Sequence, residues 1–298
     1  MNNSALSSDH PIVINWHVTE ACNFTCRYCY AKWQKPQRRD LIRDTTATKA
    51  LLDSLYSHFH SGPSGTRPRL NFAGGEPLLH ASRLLEAARY ARSIGFDVSL
   101  ITNGSRLDES LTAGLAPTLS MLGLSIDSVV PSVQAAIGRN DRRGRCLDLN
   151  VVARQVDLAK RLNPTLTVKI NTVVCSANWE DNLSSLIHRF APQRWKVLRM
   201  LPAVSRDLEA TDSQFQAYVA RHSALSELMT VEDNDEMQGS YIMIDPVGRF
   251  FQNRPSAQGY DYSAPILEAG AEKAFAEIGW SAVKFERRYR TLEARREA

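Results

Sequence analysis

No apolar run in the 298 residues exceeds strand length, so no segment is expected to span a membrane. The first ten residues, Met1 to His10, lack the charged-then-apolar layout of a signal peptide. The chain has no internal repeat and no low-complexity stretch. Cysteine is scarce: there are five, and three of them fall within eight residues. That is not the spread of a disulfide framework, so a reducing, cytoplasmic compartment is expected. Charge of one sign is scarce as well. Thirty-six Lys and Arg face 32 Asp and Glu, a net charge of +4. This is too little to argue for nucleic acid, and it suits a small anionic substrate or an ordinary solvated surface equally well.

An apolar content of 43% over this length supports one large core, or one domain with a smaller extension. Strand-like and helix-like segments alternate. The strands are expected over 12–18, 69–73, 97–102, 121–126, 166–174 and 195–201. The helices are expected over 45–58, 81–93, 107–113, 149–162 and 179–190. Such alternation reads as βα units around a parallel sheet. Six units make an α/β fold, a partial (βα)6 TIM-like barrel. Beyond Ala203 the pattern changes. A helix is expected over 213–222, and two apolar runs flank the turn Asp245-Pro246-Val247-Gly248, a hairpin signal. The expected organisation is a flexible tail over 1–10, the barrel over 11–205, and a C-terminal extension over 206–298 that covers the active site. The charged end from Glu286 to Ala298 is expected to fray.

Directly after the first strand come Cys22, Cys26 and Cys29. Three closely spaced thiolates can hold one corner of a cubane iron–sulfur cluster and leave its fourth iron without a protein ligand. Structural zinc wants four ligands, and His17 on the preceding strand is the candidate fourth. Cys146 and Cys175 are isolated, the one read as a loop thiol and the other as a small buried apolar residue. In βα barrels the chemistry sits at the C-terminal ends of the strands, where the three cysteines fall. Their spacing, with Tyr28 before the last cysteine, resembles the signature of the radical SAM superfamily. The resemblance implies a [4Fe-4S] cluster and S-adenosyl-L-methionine as cofactors. It also implies that Gly74, Gly75 and Glu76 (in Gly-Gly-Glu-Pro77), together with Asn103 and Ser125, line the cofactor.

Side chains alternate across a strand. Asn15 and His17 therefore share one face of the first strand. Arg69 and Asn71 share one face of the second, Lys169 and Asn171 of the fifth, and Arg194 and Lys196 of the sixth. A closed barrel interior is packed with branched apolar residues, and each unpaired buried charge costs several kcal/mol. A water-facing edge strand explains any one of these faces. All four together fit an inner cavity that holds a polyanion, and Lys and Arg on rigid strands suit a triphosphate. Arg139 extends the set.

Within the superfamily, the chain resembles the viperin family, and its prokaryotic members in particular. The resemblance rests on Asn15-Trp-His17, Cys22 to Cys29, Asn71 to Pro77, Ile137-Gly-Arg139, Lys169-Ile-Asn171, Arg194-Trp-Lys-Val197 and Ser240-Tyr241, spanning about residues 12 to 253. It implies an antiviral enzyme that converts a nucleoside triphosphate to its 3′-deoxy-3′,4′-didehydro form, a chain terminator. Substrate contacts are implied for Asn15, Arg69, Arg139, Lys169, Asn171, Arg194 and Lys196, with Asn234 near the base. Tyr241 is the implied proton or hydrogen donor. The partners implied are an external one-electron reductant of flavodoxin or ferredoxin type and the nucleotide, with no nucleic acid, no membrane and a monomeric chain. Arg69 stands where animal members carry lysine, Ala73 replaces a serine, and the animal N-terminal membrane helix has no counterpart. A radical SAM enzyme acting on a peptide, or a metal-stabilised nucleotide-binding protein, is the competing expectation.

Overall fold

The computed structural model describes residues 10–33, 38–60, 67–254 and 258–293. The tail expected over 1–10 lies outside the described residues except for His10, and so does the end of the charged segment beyond 293.

Ten strands form one sheet: β1 (Val13–His17), β2 (Arg69–Ala73), β3 (Asp97–Thr102), β4 (Met121–Ser125), β5 (Thr167–Val174), β6 (Arg194–Arg199), β7 (Met229–Glu232), β8 (Ile242–Ile244), β9 (Arg249–Asn253) and β10 (Tyr260–Pro265). Their spatial order is β10-β9-β8-β1-β2-β3-β4-β5-β6-β7. The pairings from β8 through β1 to β7 are all parallel. β9 and β10 run antiparallel at one edge. The sheet is an open α/β barrel, and the six expected strands form its continuous middle. The expected hairpin is present as β8 and β9, but β8 also adds to β1 in parallel, and β7 joins β6 on the far side. The segment beyond residue 205 thus contributes four strands to the one sheet.

The outer strand faces explain the layers. Ile14, Trp16, Leu70, Val168, Ile170 and Trp195 are completely buried in one continuous apolar core. Each such side chain contributes roughly 1.5–3 kcal/mol on leaving water. The amphipathic helices that cover them include α1 (Thr45–Phe59) and α2 (Ala81–Ile94). Asp44 caps α1 by accepting from the Ala47 amide, which satisfies a donor that the first turn leaves orphaned. Next in chain order are α3 (Glu109–Leu115), α4 (Pro131–Ala136), α5 (Leu149–Leu162), α6 (Ser184–Phe190), α7 (Asp212–Arg221) and the single turn α8 (Asn234–Met237). Among the described residues, no helix is long and apolar enough to cross a membrane.

Because the strands are parallel and in register, the inner face is read as rows. Asn15, Asn71 and Ser99 make one row. Gly123, Lys169 and Arg194 make a second, and Ser125, Asn171, Lys196 and Thr230 a third. Glu232 follows, opposite Leu198. The polar positions expected from alternation thus fall into rows on β1 to β3 and on β4 to β7, with Met121 beside Ser99 and Ile101 beside Gly123 where the two groups meet.

Candidate active site

The cysteine motif occupies the loop after β1, at the C-terminal end of the parallel strands. Cys22, Cys26 and Cys29 are reduced and half-buried. The loop is bound to the segment after α4: Thr25 donates its amide to the Gly138 carbonyl and Arg27 to that of Ile137, each at 3.1 Å. Burial pushes all three thiols up, Cys29 to about 11. In the protein alone they are protonated thiols, and a bound metal centre is what holds such sulfurs as thiolates. Among the described residues, no three His, Cys, Asp or Glu side chains are placed to share one metal ion. A cubane makes no such demand, because each thiolate takes a different iron. Two donors already stand beside the sulfurs: Asn103 Nδ2 at 3.8 Å from Cys22 Sγ and Arg139 Nη1 at 3.9 Å from Cys26 Sγ. The residues present fit an iron–sulfur cluster.

The loop after β2 is laid against the cysteine loop backbone to backbone. Gly75 donates to the Thr19 carbonyl at 2.7 Å, and Glu76 to that of Ala21 at 2.9 Å. A Cβ on Gly75 would meet the Ala21 carbonyl oxygen at 2.3 Å, and one on Gly74, whose φ is +140°, the Thr19 oxygen at 2.6 Å. Only glycine permits this approach. Gly75→Ala is therefore expected to cost about 1–3 kcal/mol, as overpacking does, and to lower the iron bound per chain after reconstitution. Iron analysis alongside urea unfolding tests this, and full iron loading at unchanged stability would refute it.

The carboxylate of Glu76 is fully buried. It accepts from the Leu78 amide at 3.0 Å, the Thr102 hydroxyl at 2.7 Å and the Asn103 amide at 2.8 Å. Burial raises its pKa and these bonds oppose the rise. The side chain is a brace between the loops after β2 and β3. It fixes Asn103, whose Nδ2 also donates to Asn23 Oδ1 at 3.0 Å.

Asp127, which alternation could have flagged as sharing the face of Ser125, organises the other side. Tyr28 donates its phenol to it, the Val173 amide donates at 2.7 Å, and Arg139 pairs with it at 3.1 Å. Arg139 also bonds the Ser125 carbonyl. Burial pushes the Tyr28 phenol far up, and the negative charge of Asp127 adds to that. The structure thus gathers Tyr28, Ser125 and Arg139 with the cysteines. Arg139, expected on the nucleotide side, sits at the cluster end.

Farther down the inner face, Asn15, Asn71 and Ser99 form a relay. Ser99 donates to Asn71 Oδ1 at 2.9 Å, Asn71 to Asn15 Oδ1 at 2.9 Å, and Asn15 to the Ile242 carbonyl at 3.1 Å. Arg69 lies at the lower rim with Nε 2.8 Å from Asp97, so a phosphate there competes with a carboxylate. Lys169 and Arg194 are half-buried neighbours, and Arg194 Nε donates to Thr230 at 3.2 Å. Asn171 is 8% exposed, and its Oδ1 has no partner. Asn234 opens α8 and also carries a buried unpartnered Oδ1.

Lys196 differs from its two basic neighbours. It is 3% exposed, and its ammonium lies 2.5 Å from Glu232, itself 2% exposed. Tyr241 completes a triangle: its phenol donates to Glu232 and accepts from Lys196. Gln252 holds the Tyr241 carbonyl at 2.6 Å. Glu232 and Gln252 were not legible as site residues.

His17, the candidate zinc ligand, is enclosed by the rings of Tyr30, Trp33 and Phe251, with centroids 5.1 to 5.7 Å away. Burial lowers its pKa from 6.5 to about 3. Between those two values the unfolded chain takes a proton at this residue and the folded chain does not. Stability is therefore whole above pH 6.5 and falls as the pH drops toward 3, by about 1.4 kcal/mol per unit. His17→Phe should remove that slope, which urea unfolding at pH 6.5 and 5 measures. An equal slope in both proteins would contradict it.

Residues 16–181 match the sequence model of the Radical SAM superfamily. The S-adenosylmethionine-dependent nucleotide dehydratase of Pseudoalteromonas ulvae is 39% identical, over 96% of this chain and 96% of its own. That of Psychrobacter lutiphocae is 37% identical, over 97% of this chain and 98% of its own. Among solved structures, native anSMEcpe with bound AdoMet superposes with a TM-score of 0.61 over 93% of this chain and 82% of its own, at 16% identity, a likeness of fold. Identity of this extent, over a chain that carries the three cysteines in the first βα loop, means that the protein belongs to the radical SAM superfamily and, within it, to the S-adenosylmethionine-dependent nucleotide dehydratases of the viperin family.

Proposed function

We propose that this chain converts a nucleoside triphosphate to its 3′-deoxy-3′,4′-didehydro analogue, a chain terminator with an antiviral role. The observation that carries the reading is Asn171. Its Oδ1 is a buried acceptor without a partner, on the inner face beside Lys196 and one row from Lys169 and Arg194. A buried amide oxygen left unpaired costs about 1–3 kcal/mol, which a ligand hydroxyl relieves.

Cys22, Cys26 and Cys29 would hold the cluster, with Gly74, Gly75, Asn103, Ser125 and Arg139 around the S-adenosylmethionine. Given one electron, that pair would supply a 5′-deoxyadenosyl radical able to take the ribose 4′ hydrogen. The chain's own share is placement. Lys169 and Arg194 attract the phosphates, Asn171 orients the sugar, and Asn234 offers an acceptor to the base. The segment from 206 onward covers the site and brings Glu232 and Tyr241 to it. The Tyr241 phenol accepts from the Lys196 ammonium and donates its proton to the Glu232 carboxylate, which suits proton delivery when the 3′ hydroxyl leaves as water. The reductant, a one-electron carrier of flavodoxin or ferredoxin type, would supply two electrons per turnover, one for S-adenosylmethionine cleavage and one to complete the product after water leaves. The chain acts as a monomer in the cytoplasm, without nucleic acid.

The test is anaerobic reconstitution with CTP, UTP, GTP and ATP supplied separately. 5′-Deoxyadenosine should form in step with one dehydrated nucleotide, identified by mass. Equal 5′-deoxyadenosine with and without nucleotide, and no dehydrated product, would sink the proposal.

A further inference from the structure

Whatever reduces the cluster must approach from outside the barrel, and the chain presents one strongly charged surface against the cysteine loop. We propose that Arg27, Arg142, Arg143 and Arg145 form the docking surface for a small acidic one-electron carrier protein. This rests on the functional reading above, since only a redox-active cluster needs such a partner.

The surface is built rather than incidental. Arg27 lies inside the cysteine motif, between Cys26 and Cys29, and is exposed. Its guanidinium donates to the carbonyl of Ala136, the last residue of α4, at 3.3 Å. A bridge between Phe24 and Asp141 ties the same loop to the turn that follows, and a bridge between Asn140 and Cys146 closes that turn. Asp141 shapes it from within, accepting from the Arg143 amide at 2.8 Å and the Arg145 amide at 3.0 Å. Arg142, Arg143 and Arg145 are thereby held pointing outward, and all three are exposed.

The charge is one-sided. Asp141 is paired with Arg145 at 2.7 Å, whereas Arg142 and Arg143 make no ion pair among the described residues. No Asp or Glu occurs from residue 21 to 33, and Asp141 is the only one from 139 to 147. The exposed positions Thr25, Arg27 and Tyr30 alternate with the half-buried cysteines. The arginine turn is tied to this loop, so a partner seated on it lies against the segment that carries the three cysteines. The cations assigned to the phosphates, Lys169 and Arg194, are by contrast half-buried neighbours on inner strand faces. Arginine forks match surface carboxylates, and opposite potentials raise association rates by roughly 10- to 1000-fold at low salt. An acidic carrier is the occupant that this charge and this location share.

The test compares the reconstituted protein with its Arg142→Glu/Arg143→Glu variant, using reduced flavodoxin and dithionite in parallel. The readouts are the rate of cluster reduction, followed by absorbance and electron paramagnetic resonance, and flavodoxin binding by calorimetry. The charge reversal should slow reduction by flavodoxin about tenfold or more, weaken its binding, and flatten the salt dependence of the rate. Reduction by dithionite should be unchanged, and Arg142→Lys/Arg143→Lys should keep most of the flavodoxin rate. An unchanged flavodoxin rate overturns the proposal. So does an equal loss with dithionite, which would mean that the arginines serve the cluster or the fold. Duplex DNA binding that is lost in the variant while flavodoxin reduction stays intact overturns it too. Cluster reduction is read without nucleotide turnover, so a failure of the nucleotide assignment leaves this result standing.

Discussion

Replacing Asp127 with alanine is expected to destabilise the folded chain by about 3–5 kcal/mol, the range for removing one member of a buried ion pair. Arg139 is 8% exposed and Asp127 2% exposed, so the guanidinium would be left buried without its counter-ion. Burial alone lowers the Arg139 pKa, and Asp127 is the main charge that reverses this. Two further donors lose their acceptor: the Tyr28 phenol and the Val173 amide. The consequence reaches the cluster, because Arg139 stands 3.9 Å from Cys26 Sγ. Asp127→Ala should therefore bind less iron per chain as well as unfold at lower urea. Asp127→Asn, which keeps an acceptor and loses the charge, should fall between it and the parent. A loss of under about 1 kcal/mol in Asp127→Ala would mean that water enters and replaces the carboxylate.

The middle of the fold was legible because its two faces obey different demands. On β1, β2, β5 and β6, alternation separates a mainly apolar outer face, broken by Thr172 and Arg199, from an inner one that carries the polar and cationic positions, and the observed strands match the expected ones within a residue or two. The cysteine spacing and the Gly-Gly-Glu-Pro segment are local and short, so a single sequence carries them whole. What stayed hidden depends on pairing between distant segments. β7 has four residues, too few to show a period, and only its parallel addition to β6 makes it a strand; the hairpin signal marks β8 but not its parallel pairing with β1. Glu232 lies at the end of β7, so its inward direction could not be read. Asp127 was within reach, being two positions beyond Ser125, but a lone acid after a strand does not reveal that three donors converge on it. His17 was read as a possible ligand because the residue type ligates. The structure surrounds it with rings contributed by the cysteine loop and β9, which no local pattern indicates.

Glu232→Gln should separate binding from turnover. In the parent, Lys196 holds a buried carboxylate at 2.5 Å, and Tyr241 bonds both groups. An incoming triphosphate meets that carboxylate as a like charge, and two unit charges 4 Å apart interact by about 4 kcal/mol at an effective dielectric of 20. Glutamine keeps an oxygen to accept from the phenol and removes the charge. Nucleotide binding, measured by calorimetry on the protein without S-adenosylmethionine, should tighten by about tenfold or more, since 1.4 kcal/mol of relief suffices for that. Turnover should fall, because the phenol of Tyr241 no longer shares its proton with a carboxylate that can take and return it. Glu232→Ala is a different experiment: it removes the buried carboxylate that Lys196 pairs with and should cost about 3–5 kcal/mol of stability. Pairing Lys196→Met with Glu232→Leu should recover most of that stability while abolishing activity, since apolar residues of similar volume replace a buried pair at little cost. If Glu232→Gln changes stability but neither nucleotide affinity nor turnover, the pair is structural and Tyr241 is not the proton donor. If affinity and turnover move in opposite directions, Glu232 is both the charge the nucleotide must overcome and the base that keeps Tyr241 ready.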